Sequence, residues 1–128
     1  MKYNAILSLI CLNMLFGCTR SEAQQTVYRK ISAEEAYKMM AESKDFVLLD
    51  VRTEAEYSQQ RIEGAILIPD FELKERAAVE LPDKSKTVFV YCRSGARSAN
   101  AAKVLTGLGY TNVYDFGGII NWPYETIR

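Results

Sequence analysis

From residue 27 onward, the apolar positions gather into short continuous runs separated by polar stretches with helical spacing. Phe46-Val47-Leu48-Leu49 and Ala65-Ile66-Leu67-Ile68 are two such runs, and Val88-Phe89-Val90-Tyr91 is a third. Runs of this length without polar alternation are the signature of strands buried on both faces. The pattern predicts strands over 27–31, 46–49, 65–68, 87–91 and 112–116. Between them, Ser32 with Glu35 makes a capping box opening a helix over 33–41, with Ala36, Tyr37 and Met40 on one face. Thr53 with Glu56 makes a second capping box, and Asp70, after Pro69, caps a short helix to about residue 79. Pro82-Asp83 and the following lysines form a turn; a helix over 97–108 stops at Gly109. Gly117-Gly118 reads as a turn, and 119–122 as one helical turn closed by Pro123.

Strands alternating with helices through short connections imply an α/β fold, a parallel sheet with helices on both faces. In such sheets, ligands bind beyond the carboxyl ends of the strands. Cys92, Asp50 and Arg52 all fall at strand ends of that kind, so they could share one rim.

The first 26 residues follow a different pattern. Lys2 precedes an apolar stretch over 5–16, then comes Gly17-Cys18, and the composition turns polar. A charged start and an apolar core of this length read as an export signal, too short for a spanning helix. Leu15-Phe16-Gly17-Cys18 resembles a bacterial lipobox, in which the cysteine is lipidated and becomes the mature N-terminus. The division expected is a lipoprotein-type signal peptide over 1–17, a tether over 18–26 and one domain over 27–128, held at a bacterial membrane in the periplasm by lipid on Cys18. The alternative is ordinary cleavage, for instance after Ala23, giving a soluble secreted protein.

Composition narrows the chemistry. A chain of 128 residues that is 48% hydrophobic suffices for one domain with a real core. Lys+Arg and Asp+Glu both number 16, so no global field points to nucleic acid. There is no histidine, which removes Ser-His-Asp triads, Cys-His proteases and histidine-ligated metals. Cys11, Cys18 and Cys92 have no paired spacing, so no metal site and no dithiol is expected. With Cys11 cut away and Cys18 lipidated or removed, Cys92 is left as the one free thiol of the mature chain.

Cys92 closes an apolar strand and opens the loop Arg93-Ser94-Gly95-Ala96-Arg97-Ser98, after which helical spacing begins. Strand, loop and helix N-terminus together present backbone N–H groups to one anion, and a thiolate is an anion. Arg93 and Arg97 add positive charge, and Gly95 allows positive φ and close approach. Two guanidinium groups call for solvent or an anion, which argues for a nucleophilic cysteine on an open rim rather than a buried structural thiol. Tyrosine phosphatases place five residues between their cysteine and arginine. Here four separate Cys92 from Arg97 and the residue before Cys92 is Tyr91, so the smaller cradle suits a sulfur atom better than a phosphoryl group.

Four segments in order then resemble a single-domain rhodanese, or thiosulfate sulfurtransferase: Leu49-Asp50-Val51-Arg52 with Glu56-Tyr57; Ile62-Glu63-Gly64-Ala65 with Ile68-Pro69; Tyr91 to Ser98; and Gly117-Gly118-Ile119 with Trp122-Pro123. The resemblance implies a three-layer rhodanese-like fold with a mostly parallel five-stranded sheet, no cofactor, and action as a monomer. It implies that Cys92 takes the outer sulfur of a small anionic donor such as thiosulfate as a persulfide and yields it to a thiol or to cyanide. Loop N–H groups of Ser94 to Ser98 would stabilise that anion, while Arg93 and Arg97 would draw in the donor. Asp50 and Arg52 would either support the cysteine loop or form a local ion pair, and Trp122 would belong to the core. A persulfide carrier in a sulfur relay, or a non-catalytic binding module of the same fold, are the alternatives.

Overall fold

The computed structural model describes residues 27–128; the expected signal segment, Cys18 and the tether lie outside the described residues. Five strands are present there: β1 (Arg29–Lys30), β2 (Phe46–Asp50), β3 (Ile66–Leu67), β4 (Thr87–Cys92) and β5 (Val113–Gly118). They form one sheet in the order β1-β5-β4-β2-β3, and every pairing is parallel. Four α-helices connect them: α1 (Ala33–Glu42), α2 (Glu54–Gln59), α3 (Leu73–Glu80) and α4 (Ala96–Gly107).

Period-two alternation along β4 divides the core between the two sheet faces. Val88, Val90 and Cys92 face one way, packed with Leu73 and Ala77 of α3 and Ala101, Ala102 and Leu105 of α4. Phe89 and Tyr91 face the other way, with Ala36 of α1, Phe116 and Trp122. β4 is fully buried from Val88 to Cys92, and each large apolar side chain buried there contributes about 1.5–3 kcal/mol. Trp122 takes its expected place in that second cluster, 5.4 Å from the Phe116 ring.

Both capping boxes form. Ser32 Oγ accepts from Glu35 N and Thr53 Oγ1 accepts from Glu56 N, each answered by the glutamate side chain accepting from the cap's own N–H.

The edges depart from the sequence pattern. Residues 65–68 do not make a strand buried on both faces: only Ile66 and Leu67 pair, and Ile66 is 40% exposed because β3 has a neighbour on one side alone. β1 shrinks to two residues at the other edge, leaving Val27 in solvent. Asp70 does not cap α3. Glu72 N donates to the Pro69 carbonyl and Leu73 N to that of Asp70, so a 3-10 turn over Asp70–Glu72 comes first. Asp70 Oδ1 turns back to accept from Phe71 N. Gly117 and Gly118 are the end of β5 rather than a turn, Gly118 pairing with Cys92 after an irregularity between Val90 and Cys92.

Candidate active site

Strand order brings three carboxyl ends together: β4 ending in Cys92, with β2 ending in Asp50 on one side and β5 ending in Gly118 on the other. Cys92 belongs to the inward face of β4, and Gly95, at φ +112°, folds the loop back towards it. The Gly95 N–H donates to Cys92 Sγ at 3.0 Å. Ser98, in the first turn of α4, places its Oγ 3.5 Å from Sγ, where it accepts from the thiol. The Ser98 hydroxyl has the Gly95 and Gly117 carbonyls as acceptors at 3.1 and 3.3 Å. The open-rim thiol expected from the sequence is therefore a thiol beneath its loop, only 1% exposed.

β5 supports that loop through its glycines. Ile120 N donates to the Arg93 carbonyl at 3.2 Å, and that carbonyl with Ser94 Cα lies so close to Gly118 that any Cβ there would overlap it. A Cβ added at Gly95 would instead lie 3.6 Å from Gly117 Cα, an ordinary contact, so it is the backbone conformation there that calls for glycine.

The two arginines differ. Arg93 is exposed and makes no ion pair among the described residues. Arg97 donates from Nη1 and Nη2 to both carboxylate oxygens of Glu56, at 2.8 and 3.0 Å. This bidentate bond, above all, holds the Glu56 carboxyl down at about 2, against an ordinary 4.5. It likewise raises the Arg97 pKa above its ordinary value, with smaller contributions from Cys92 and Asp70. Sequence reading took Glu56 as the capping residue of α2 and as part of the segment that carries the family resemblance, and gave it no partner at the cysteine loop. Its partner lies 41 positions away, and nothing in local spacing signals such a pair.

Asp50 and Arg52 form a local ion pair, fully buried. Arg52 Nε donates to Asp50 at 3.0 Å and Nη2 at 2.7 Å, and Nη2 also donates to the Gln60 carbonyl at 2.6 Å. Burial alone would lower the Arg52 pKa; the hydrogen bonds and charge of Asp50 raise it instead. The guanidinium stands 5.6 Å over the ring of Tyr91. Burial, and next the charge of Asp50, push the Tyr91 hydroxyl well above its ordinary range, and that hydroxyl accepts from Ile62 N. The pair fixes the residue before the cysteine; no hydrogen bond joins it to Arg93–Ser98.

A buried cysteine under an arginine-flanked loop at the head of a parallel sheet defines a protein equipped for covalent transfer through sulfur. The family model of the rhodanese-like domain matches residues 32–123, and the chain belongs to that family. It is 46% identical to the thiosulfate sulfurtransferase PspE of Escherichia coli (strain K12) over 71 residues, covering 56% of this chain and 68% of that protein. A sulfurtransferase of Allochromatium vinosum is 39% identical over 94 residues, covering 73% and 86%. Among solved structures, a rhodanese with anions from E. coli is 40% identical with a TM-score of 0.61, covering 64% of this chain and 96% of that one. A rhodanese-related protein from Thermoplasma volcanium is 34% identical with a TM-score of 0.67, covering 78% and 98%.

Proposed function

We propose that this protein is a sulfurtransferase that moves a sulfane sulfur from thiosulfate or a similar donor to a thiophilic acceptor through a persulfide on Cys92. The observation that carries the reading is the Gly95 N–H directed at Cys92 Sγ in a rhodanese-like domain. The Cys92 thiolate attacks the outer sulfur of thiosulfate, forming an S–S bond to Sγ while the bond to the sulfonate sulfur breaks and sulfite leaves with the electron pair. An acceptor nucleophile then attacks the outer sulfur, and the pair of the breaking S–S bond returns to Sγ. The Gly95 N–H favours the anion in both resting forms, and Arg93, with no carboxylate of its own, offsets charge on the donor.

The test is intact mass after thiosulfate treatment. The protein should gain one sulfur atom that cyanide releases as thiocyanate, and Cys92→Ser should gain none while keeping its fold. A reactive thiol that gains no sulfur from thiosulfate would move the function to a relay carrier with another donor or to a binding module.

The export segment leads to a second proposal, that the domain is displayed at a bacterial membrane by lipid on Cys18, which is supported by Lys2, the apolar run over 5–16 and Gly17-Cys18. Cells fed radiolabelled palmitate should label the protein and not Cys18→Ala; equal label in both would exclude the anchor.

A further inference from the structure

β5 turns one charged side chain toward the cysteine's face of the sheet. Val113 packs with Cys92 on that face while Tyr114 and Phe116 pack on the other, so Asp115, alternating with them, shares the cysteine's side. It pairs in register with Val90, two positions before Cys92 on β4. Asp115 is 1% exposed, and among the described residues it forms no ion pair and its Oδ2 has no hydrogen-bond partner. Lys30, opposite it in register on β1, stays exposed. A buried carboxylate without a cation opposes folding, and an apolar residue is the ordinary occupant of such a strand position.

The other oxygen of Asp115 leads to the sulfur. Oδ1 accepts from Gly117 N at 2.9 Å, fixing the backbone just before Gly118. The Gly117 carbonyl accepts from Ser98 Oγ at 3.3 Å, and Ser98 Oγ lies 3.5 Å from Cys92 Sγ. Ser98 is fully buried, and the single hydrogen of its hydroxyl is shared between the Gly117 carbonyl and that of Gly95 at 3.1 Å. While Cys92 is a thiol, that hydrogen stays on a carbonyl and an oxygen lone pair faces the sulfur. Once Sγ is an anion, the same hydroxyl can turn its hydrogen onto it, leaving two long and therefore weak bonds. The other charged groups around the cysteine are placed differently. Arg97 is held by Glu56, Arg93 lies in solvent, Arg52 and its partner Asp50 stand over the Tyr91 ring, and α3 packs only Leu73 and Ala77 on this face.

We propose that Asp115 is a positioning residue for sulfur transfer: through Gly117 it keeps the Ser98 hydroxyl where it accepts from the Cys92 thiol and donates to the thiolate. The inference rests on the reading of Cys92 as the sulfur carrier.

The experiment is a double-mutant cycle of Asp115 and Ser98. It is read by the pH dependence of Cys92 alkylation with iodoacetamide and by thiocyanate formation from thiosulfate and cyanide. Asp115→Ala should raise the alkylation midpoint by about half a pH unit and cut sulfur transfer by about tenfold, because the thiolate loses a hydrogen-bond donor. Asp115→Asn keeps an oxygen for Gly117 N–H and should recover transfer to within about twofold of the native rate. With Ser98→Ala already in place, Asp115→Ala should change either reading by less than about twofold, since the residue it acts through is gone. If Asp115→Ala does not fold, Asp115→Val, apolar and β-branched as a buried strand favours, takes its place in the cycle. Equal losses with and without Ser98, or an unmoved midpoint, would overturn the inference. So would an Asp115→Asn protein as impaired as Asp115→Ala, which would assign the effect to charge and not to the bond. Alkylation needs no sulfur donor, so a native protein that takes no sulfur from thiosulfate would sink the donor reading while the cycle still decides the role of Asp115.

Discussion

Arg93 and Arg97 stand four residues apart, one in the loop after β4 and one in the first turn of α4, and look interchangeable in sequence, yet only Arg93 has no ion pair among the described residues. Arg97 is held by both oxygens of Glu56, so its charge acts mainly on its partner and on the position of the first turn of α4. Arg93 has its side chain in solvent and its carbonyl tied to Ile120 N. Arg93→Gln should therefore raise KM for thiosulfate by about fivefold while leaving a neutral organic trisulfide nearly unaffected, as expected for loss of one charge-assisted contact. Arg97→Gln should behave differently, costing about 1–2 kcal/mol of stability and slowing both donors alike. Initial rates with the two donors, set beside urea melts, separate these outcomes. Equal penalties on both donors for Arg93→Gln would remove its electrostatic role.

Among the elements, those defined by local chemistry were readable and those defined by neighbours were not. Serine or threonine followed three residues later by glutamate specifies an N-terminus through bonds within one turn, and both boxes form as read. The Cys92 loop was equally legible, because Gly95 alone can take its φ of +112°. The burial of Cys92 was not, since it follows from which face of β4 α4 covers. The length of β3 depends on its having a single neighbour, β2, and the start of α3 on carbonyl bonds that begin at Pro69. The far end of α3 is likewise held tertiarily. Tyr110, just past α4, donates its hydroxyl to the carbonyls of Ala77 and Leu81 at 2.9 and 2.6 Å. Tyr110→Phe should leave the Leu81 carbonyl without that donor and cost about 1–2 kcal/mol, lowering Tm by roughly 5–10 °C. Tyr110 lies just before the amino end of β5, away from the cysteine loop, so sulfur transfer at 25 °C should be unchanged. Parallel melts and persulfide-loading assays check both halves.

At the scale of the whole molecule, the alternation of strands and helices predicted the parallel sheet. The order β1-β5-β4-β2-β3 decides which strand ends meet, and hence that Glu56 after β2 reaches Arg97 after β4. That pair joins two crossover connections across the site, and its titration sets an acid limit for the domain. A carboxylate whose pKa is lower folded than unfolded gives stability that is present in full above the unfolded value and lost as pH falls through the folded one. For Glu56 that window runs from the ordinary 4.5 down to about 2. The chain has no histidine, so no side chain of that type titrates between pH 5 and 8. Urea midpoints should accordingly stay level from pH 8 to about 5 and decline below 4.5. In Glu56→Gln they should begin lower at neutral pH and decline less steeply, because the group responsible for part of the slope is gone. An unchanged acid slope in that variant would show that the bond does not persist in solution, and the loop would then depend on the β5 glycines, Ser98 and the Ile120 N–H bond to the Arg93 carbonyl. A shallower slope accompanied by faster loss of the Cys92 persulfide at neutral pH would show that the same ion pair keeps the loop closed over the sulfur it carries.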